Sequence, residues 1–190
     1  MFITINKKTL IKFFVAVIVL LLIILATALN PIDKIAKKIY PLTYNGHILK
    51  YAEEYELDPY LVMAIISTES KFNESAQSHK DAKGLMQITD ATFDWVCEKY
   101  NLEYTKNDIF TPQANIHTGC AYMAFLLGTF NYDLKTALSA YNAGQGNVNK
   151  WLKNKQYSTD GKKLENIPFD ETKNYVDTVI KRINIYKKLY

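Results

Sequence analysis

One carboxylate in this 190-residue sequence stands where it could do acid–base chemistry. Glu69 follows three apolar residues at helical spacing on one predicted helix face, Val62, Ile65 and Ile66. A carboxyl group at the end of an apolar face is partly desolvated, and desolvation favours its protonated form. A carboxyl group that keeps its proton near neutral pH can donate it to a glycosidic oxygen. From position alone, the alternative is a helix-end glutamate that turns to solvent or pairs with a lysine.

Uncharged polar residues that can hydrogen-bond to a ligand follow Glu69 along the chain. Ser78 and Gln87 carry a hydroxyl and an amide, which donate and accept hydrogen bonds without adding charge. Taken alone, Ser78 is typical of a loop cap and Gln87 of a turn residue that bonds to the backbone. Tyr141 continues an apolar helical face, so its ring is expected to point inward and its hydroxyl to need a partner.

Four sequence blocks, rather than any single residue, carry the strongest functional indication. They are Glu69-Ser70-x-Phe72-Asn73 with Ala76-x-Ser78 and Ala82-Lys83-Gly84-Leu85-Met86-Gln87-Ile88; Asn115-Ile116-x-x-Gly119-x-x-Tyr122; Ala140-Tyr141-Asn142-Ala143-Gly144; and Ile167-Pro168-Phe169-x-Glu171-Thr172-x-x-Tyr175-Val176. In this order the blocks resemble the catalytic domain of the soluble-type lytic transglycosylases (glycoside hydrolase family 23). These enzymes cleave peptidoglycan and are related to goose-type lysozyme. The resemblance covers nearly the whole chain beyond residues 1–41 and none of those residues.

The resemblance implies a mechanism with a single catalytic acid/base, Glu69. In this family the glutamate protonates the bond between N-acetylmuramic acid and N-acetylglucosamine. It then takes a proton from the muramic C6 hydroxyl, which attacks the anomeric carbon and leaves a 1,6-anhydro end. Most glycosidases need two carboxylates, about 5–9.5 Å apart, and the matched blocks near Glu69 contain no second one. The resemblance implies no metal or other cofactor, and it implies these substrate-binding residues: Ser78, Met86, Gln87, Tyr141, Asn142 and Glu171.

Several of these residues have an alternative structural role. Met86 could form the floor of a groove or simply pack in the core, as methionine often does. Asn142 could contact sugar or brace the turn that ends at Gly144. Glu171 opens the last predicted helix, where a carboxylate is favourable for the helix dipole alone. Asp81 replaces a glycine that is usual in the family, so we expect it to adopt a left-handed conformation, and its carboxylate could lie near the cleft.

Cap residues and apolar periodicity predict a mostly α-helical chain, because alternating strand patterns are nearly absent. Asp58-Pro59 and Thr111-Pro112 each combine an N-cap with proline at the first helical position, and Gly144 is typical of a helix end. The predicted helices cover residues 45–56, 59–70, 91–100, 112–130, 133–143, 147–153 and 172–190. With the family resemblance, the expected fold is a compact lysozyme-like helical domain behind an N-terminal transmembrane helix.

The first forty residues have the pattern of a membrane-targeting segment. The chain between Leu10 and Leu29 is almost wholly apolar, and twenty helical residues span the roughly 30 Å of a hydrocarbon core. Lysines precede this run, which favours a cytoplasmic N-terminus and an extracytoplasmic domain. A cleaved signal peptide, which would leave the domain secreted, is the alternative. We therefore expect a cytoplasmic N-terminus (1–12), a transmembrane anchor or signal (13–29), a linker (30–43) and a lytic transglycosylase domain (44–190).

Charge and ligand spacing argue against other classes of partner. The formal net charge is +4, but residues 1–41 carry +5 and leave −1 for residues 42–190, so no basic nucleic-acid surface is expected. Cys97 and Cys120 are expected to be buried free thiols, with a disulfide as the alternative in an exported domain. No metal site is expected, because the histidines show no paired ligand spacing. They are His47, His79 and His117.

Two other functions stay open on the sequence alone. One is a lysozyme-type muramidase that hydrolyses the same bond with water. The other is a non-catalytic glycan-binding component of an envelope assembly. The expected partners are peptidoglycan glycan strands, the membrane and, in the case of an envelope machine, the proteins of that machine.

Overall fold

The structure, a computed structural model, describes residues 6–29 and 31–190. The chain separates into two units, one that ends at Pro41 and one that begins at Leu42. The first unit contains α1 (Lys7–Leu29) and α2 (Pro31–Ile39). The second contains α3 (Asn45–Glu54), α4 (Pro59–Glu69), α5 (Asp90–Tyr100), a 3-10 turn (Lys106–Asp108), α6 (Pro112–Thr129), α7 (Leu134–Ala143), α8 (Gln145–Leu152) and α9 (Asp170–Leu189). Only isolated β-bridges interrupt this pattern in the described residues, so the predicted mostly helical fold class is confirmed.

Helix α1 is long and apolar enough to cross a membrane. Its segment Lys7–Thr27 has a mean hydropathy of 3.0, and none of it is buried within the molecule. Helix α2 carries Asp33 in its first turn and Lys37 and Lys38 in its last, which is the charge order that the helix dipole favours. The expected linker is therefore helical over most of its length.

Side-chain caps determine where helices of the second unit begin. Asp58 before α4 and Thr111 before α6 each accept a hydrogen bond from a backbone N–H of the first turn, at 2.9 and 3.3 Å. Each is followed by proline at the first helical position, as predicted. Thr89 and Asp133 cap α5 and α7 in the same way. Gly144 ends α7 with a φ of +85°, a value that suits glycine.

Helix α4 is almost entirely enclosed by the second unit. Every residue from Leu61 to Ser67 is buried, so the helix is apolar on all sides rather than on one stripe. Burial becomes partial at Thr68 and Glu69, where the helix ends. The buried helix α4 thus ends in a carboxylate that lies at the edge of the core.

Helix α6 is the second buried helix and packs against α3, α5 and α7. Gly119 on α6 allows close packing of Met86, because a Cβ atom there would lie 2.3 Å from the Met86 sulfur. Both cysteines are free thiols: Cys120 on α6 is buried as predicted, whereas the prediction that Cys97 on α5 is buried is wrong, because it is partly exposed.

A polar cluster connects α6 to the C-terminal end of α3. The Nε2 atom of His117 lies 2.9 Å from the Tyr55 hydroxyl and 3.2 Å from Glu54 Oε1. Its Nδ1 atom lies 3.0 Å from the Tyr104 hydroxyl, and its ring stacks on Tyr51 at 4.1 Å. Burial lowers the pKa of His117. Both ring nitrogens have protein partners, so this histidine has a structural role.

Candidate active site

The C-terminal end of α4 opens onto a cavity of about 220 Å³. Glu69 is the last residue of that helix and is half-buried. Three regions far apart in sequence meet here: the end of α4 with the loop 70–89 that follows it, the end of α7 and the start of α9. They bring together six of the seven residues predicted from the sequence, and Met86 is the exception. The six are Glu69, Ser78, Gln87, Tyr141, Asn142 and Glu171.

Burial changes the acidity of Glu69. Removal of the carboxyl group from water raises its pKa from 4.5 to about 7, because the surrounding protein solvates a negative charge poorly. The neighbouring Tyr175 hydroxyl acts in the opposite direction and lowers the pKa, since it can donate to the ionised carboxylate. Burial is the larger effect. Glu69 therefore keeps its proton in a large share of molecules near neutral pH, while it remains accessible from the cavity.

Two tyrosines surround the Glu69 carboxyl group. The hydroxyl of Tyr141 donates to the carbonyl oxygen of Met86 at 2.8 Å. The hydroxyl of Tyr175 on α9 is buried near Glu69, but it has no partner in hydrogen-bonding geometry among the described residues. Burial, with the nearby Glu69 charge, raises the pKa of both tyrosines well above 10, so both remain neutral. Tyr175 is not among the residues predicted from the sequence, although it belongs to the last of the four blocks.

The loop between α4 and α5 takes a sharply turned path beside Glu69. Lys71 and Phe72 are both left-handed, with φ values of +52° and +63°. Asp81 is also left-handed at +60°, as predicted for a position where glycine is usual in the family. Its carboxylate accepts a hydrogen bond from Gln77 at 2.6 Å and lies 3.6 Å from the Lys83 ammonium. Asp81 is not among the residues that line the cavity, so its carboxylate stabilises the loop.

Ser78 and Gln87 combine the loop-stabilising roles with a position in the cavity. The Ser78 oxygen accepts hydrogen bonds from the backbone N–H groups of Lys80 and Ala82, at 3.2 and 3.1 Å. The Gln87 amide nitrogen donates to two loop carbonyls at 3.1 and 3.0 Å. These contacts leave the Ser78 hydroxyl proton and the Gln87 amide oxygen for a ligand.

Met86 contributes to the site through its backbone. Its side chain is fully buried and does not line the cavity, so it packs in the core, which is one of the two roles considered for it. Its N–H donates to Asn115 Oδ1 at 2.7 Å, and its carbonyl accepts from Tyr141. The buried Asn115 amide also donates to two further carbonyls, at 2.7 and 3.0 Å. Asn115, which is not a predicted site residue, thus attaches the loop to α6.

Asn142 lines the cavity, and its side chain makes no hydrogen bond with another described residue. The alternative prediction, that it braces the turn at Gly144, is wrong. Asn147 braces that turn, because its amide donates to the carbonyl of Ala143 at 2.8 Å. The Asn142 amide is therefore available to a ligand.

Glu171 lies in the first turn of α9 and lines the cavity together with residues of the loop 70–89. One carboxylate oxygen lies 3.3 Å from the Lys80 ammonium, and the two side chains are 71% and 63% exposed. The pair therefore forms a charged, solvent-accessible part of the cavity wall.

A second cavity, of about 230 Å³, adjoins the first, and three of its six lining residues are aromatic. Trp95 and Tyr122 are two of them, with ring centroids 6.2 Å apart. Two contacts join residues that line the second cavity to residues that line the first. The Tyr122 ring lies 5.5 Å from Tyr141, and the hydroxyls of Thr92 and Thr89 are 3.0 Å apart.

The family model for the transglycosylase SLT domain matches residues 46–164 of this chain. Two curated relatives illustrate the match. The soluble lytic murein transglycosylase of Salmonella typhimurium is 32% identical over 144 residues, which are 74% of this chain and 22% of that protein. The membrane-bound lytic murein transglycosylase C of Sodalis glossinidius is 34% identical over 129 residues, which are 63% of this chain and 35% of that protein. The chain thus spans only about a fifth to a third of these relatives.

Comparison with solved structures also identifies lytic transglycosylases as similar proteins. The 70-kDa soluble lytic transglycosylase of Escherichia coli superposes with a TM-score of 0.72 and 28% identity, over 80% of this chain and 25% of that one. An inactive mutant of the lytic transglycosylase Slt of Pseudomonas aeruginosa, with glutamate replaced by glutamine, gives a TM-score of 0.70 and 30% identity. That match covers 78% of this chain and 24% of the other. These matches confirm the predicted lysozyme-like helical fold.

Proposed function

This chain belongs to the transglycosylase SLT domain family, and on that basis we propose that it is a peptidoglycan lytic transglycosylase. The proposed reaction cleaves the β-1,4 bond between N-acetylmuramic acid and N-acetylglucosamine and leaves a 1,6-anhydro-muramic end. The observation that carries this proposal is the burial of the Glu69 carboxyl group, which raises its pKa, at a cavity that also presents the uncharged hydrogen-bonding groups of Ser78, Gln87 and Asn142.

Glu69 acts first as a general acid and then as a general base. The protonated carboxyl group gives its proton to the glycosidic oxygen, and the bond from that oxygen to the anomeric carbon breaks. The resulting Glu69 carboxylate then removes the proton of the muramic C6 hydroxyl. At the same time the oxygen of that hydroxyl bonds to the anomeric carbon. Glu69 regains its proton, and no water is consumed. A pKa of about 7 suits both steps, because neither protonation state is strongly disfavoured at neutral pH.

The inactive Pseudomonas aeruginosa mutant also supports a catalytic glutamate. We propose Glu69 as the counterpart, in this chain, of the glutamate replaced there. Its place at the end of a buried helix explains how one carboxyl group can be desolvated and still meet a substrate.

Hydrolysis of the same bond is the main alternative reaction. A hydrolase of the usual kind needs a second carboxylate to activate water or to act as the nucleophile. Glu171 is the one other carboxylate that lines the cavity among the described residues, and it is exposed and paired with Lys80. No second buried carboxylate therefore accompanies Glu69 among the described residues that line the cavity, which favours the route in which the substrate supplies its own nucleophile.

The free polar groups of the cavity suit an acetamido sugar. The Ser78 hydroxyl can donate, the Gln87 amide oxygen can accept, and the Asn142 amide can do both. Glu171 can accept from sugar hydroxyls. Tyr141 contributes by holding the Met86 carbonyl, which fixes the loop that carries Gln87.

The adjoining aromatic cavity extends this binding surface along the glycan strand. The faces of Trp95 and Tyr122 offer apolar area to sugar rings, and Gln145 and Thr92 supply polar groups beside them. A polymer that is bound at Glu69 can thus contact the protein beyond the two sugars at the cleaved bond.

The proposed location is the outer side of a membrane, with α1 as a single-pass anchor. A membrane-bound transglycosylase among the relatives and the apolar length of α1 support this location. A cleaved signal would instead release the enzyme. Proteins of an envelope assembly are proposed as further partners.

Product analysis tests the proposed reaction. Purified sacculi are digested with the protein, and the muropeptides that are released are weighed by mass spectrometry. A transglycosylase gives muramic ends lighter by one water molecule than reducing ends. Reducing ends would identify a hydrolase, and no release at all would indicate a glycan-binding protein.

A further inference from the structure

The backbone of Lys80 is held in a turn at the edge of the cavity. It lies in a turn in which the Asp81 N–H donates to the Ser78 carbonyl at 3.0 Å. The Lys80 N–H itself donates to the Ser78 hydroxyl oxygen at 3.2 Å. Since Ser78 lines the cavity, the same turn that positions this hydroxyl also brings Lys80 to the cavity wall.

Lys80 is the one lysine or arginine that lines this cavity among the described residues. Lys83, which lies close by in sequence, is bound instead to Asp90 at 2.7 Å and to Asp81. A neutral sugar does not require a cation. Peptidoglycan, however, carries its charges on the peptide that is attached to each muramic acid, close to the bond that the enzyme is proposed to cleave.

The contact between Lys80 and Glu171 is easily exchanged. An ion pair between side chains that are 63% and 71% exposed contributes between zero and about 1 kcal/mol, because water solvates both partners well. If another carboxylate replaces Glu171, Glu171 returns to water without a burial penalty. The pair therefore holds the ammonium in place between substrates at little cost to binding.

We propose that Lys80 recognises a carboxylate of the peptide on muramic acid and so favours peptide-bearing strands over bare glycan. The inference rests on the proposed transglycosylase function. Lys80 exchanges its charge-assisted hydrogen bond with Glu171 for one with the peptide. Bare strands have no such carboxylate, so they bind through the uncharged groups alone.

The test compares the full-length protein with a Lys80→Met variant on two substrates. One is soluble glycan strands with their peptides, and the other is the same strands after an amidase has removed the peptides. Methionine keeps the length of the side chain without its charge. Lys181→Met is the matched control, because Lys181 is exposed on α9 and does not line the cavity.

We expect Lys80→Met to lower kcat/KM on peptide-bearing strands by about 3- to 5-fold, the upper part of the range for an exposed charge pair. The value on bare strands and both values of Lys181→Met should stay at the wild-type level. Added salt should slow the wild type on peptide-bearing strands more than it slows Lys80→Met. An equal loss on both substrates, or no loss on either, overturns this inference but leaves the proposed function standing. If the wild type cleaves neither substrate, the proposed function itself fails.

Discussion

The surroundings of Glu69 determine the pH at which its carboxyl group carries a proton. Burial raises its pKa to about 7, and the Tyr175 hydroxyl opposes part of that shift. Tyr175 is itself buried without a hydrogen-bond partner in the described structure, which is uncommon for a tyrosine hydroxyl. The two residues thus form one electrostatic unit, and a change at Tyr175 should be visible in the titration of Glu69.

The pH dependence of cleavage should depend on both Glu69 and Tyr175. Because the first step needs the protonated acid, kcat/KM should fall as the pH rises through about 7. Replacement of Tyr175 by phenylalanine removes the group that lowers the pKa, so the midpoint of this fall should move to higher pH. Rates of both proteins measured from pH 5 to 9 check this. An unchanged midpoint in the variant would show that Tyr175 has only a packing role.

The same burial should have a cost in stability. Between pH 4.5 and about 7 the unfolded chain releases the Glu69 proton while the folded protein keeps it, so the free energy of unfolding falls as the pH rises. The loss amounts to at most about 3 kcal/mol, and it is complete above the folded-state pKa.

Glutamine does not ionise, so Glu69→Gln should become more stable than the wild type over this pH range. Below pH 4.5 the difference should be smallest, and above about pH 7 it should be constant. Thermal unfolding of residues 42–190 at a series of pH values measures it. A difference that did not change with pH would contradict a raised pKa for Glu69.

At the scale of elements, the site depends on how the loop 70–89 is attached to α6. Asn115 binds the backbone of this loop, and Gly119 makes room for the Met86 side chain. Met86 in turn offers its carbonyl to Tyr141. The cavity wall is therefore attached to the buried part of the domain at several points.

A methyl group at position 119 tests this attachment. In Gly119→Ala the new Cβ would lie 2.3 Å from the Met86 sulfur, so the loop must shift. We expect a loss of roughly 1–3 kcal/mol in the free energy of unfolding, accompanied by lower activity. Gly128→Ala on the same helix is the control, because no atom lies within 4 Å of its new Cβ. That variant should gain roughly 0.5–1 kcal/mol from helix propensity and keep its activity. Equal stability changes in the two variants would contradict the proposed packing.

Elements could be predicted from the sequence where local signals define them. Asp58 and Thr111, each followed by proline, determine helix starts through bonds to their own first turns, so no knowledge of the rest of the fold is needed. The roles of Asn142 and Asn147 could not be separated in this way. Both lie near the same turn, and only the packing of α7 and α8 decides which amide faces the cavity and which braces the backbone.

The same limit applies to the residues around Glu69. The four blocks identify the chain segments that line the cavity, but they do not tell which side chains face it. Met86 lies in the most distinctive block, yet its side chain is buried in the core. Tyr175 carries no local signal for its contact with Glu69, because α9 is more than a hundred residues away from α4. Tertiary packing alone creates that contact.

At the scale of the whole molecule, an apolar helix precedes a domain with almost no net charge. Residues 1–41 carry +5 and residues 42–190 carry −1, so the two parts differ in charge as well as in hydropathy. A basic, apolar N-terminal segment suits a membrane, whereas a nearly neutral domain suits an uncharged glycan.

Fractionation of cells that produce the protein tests this division. The full chain should stay with the membranes after an alkaline carbonate wash, and residues 42–190 alone should be found in the soluble fraction. Mass measurement of the membrane-bound protein should give the uncleaved chain. A shortened, soluble product of the full-length chain would show instead that the first helix is a cleaved signal.

The most direct measurement of the central claim is the release of anhydro-muropeptides from sacculi by the wild type and by Glu69→Gln. Glutamine preserves the shape of the side chain but has no proton to give, so binding to sacculi should persist while release falls by roughly 10²- to 10⁴-fold. Release by Glu69→Gln at the wild-type rate would contradict the assignment of Glu69 as the acid and base of this reaction.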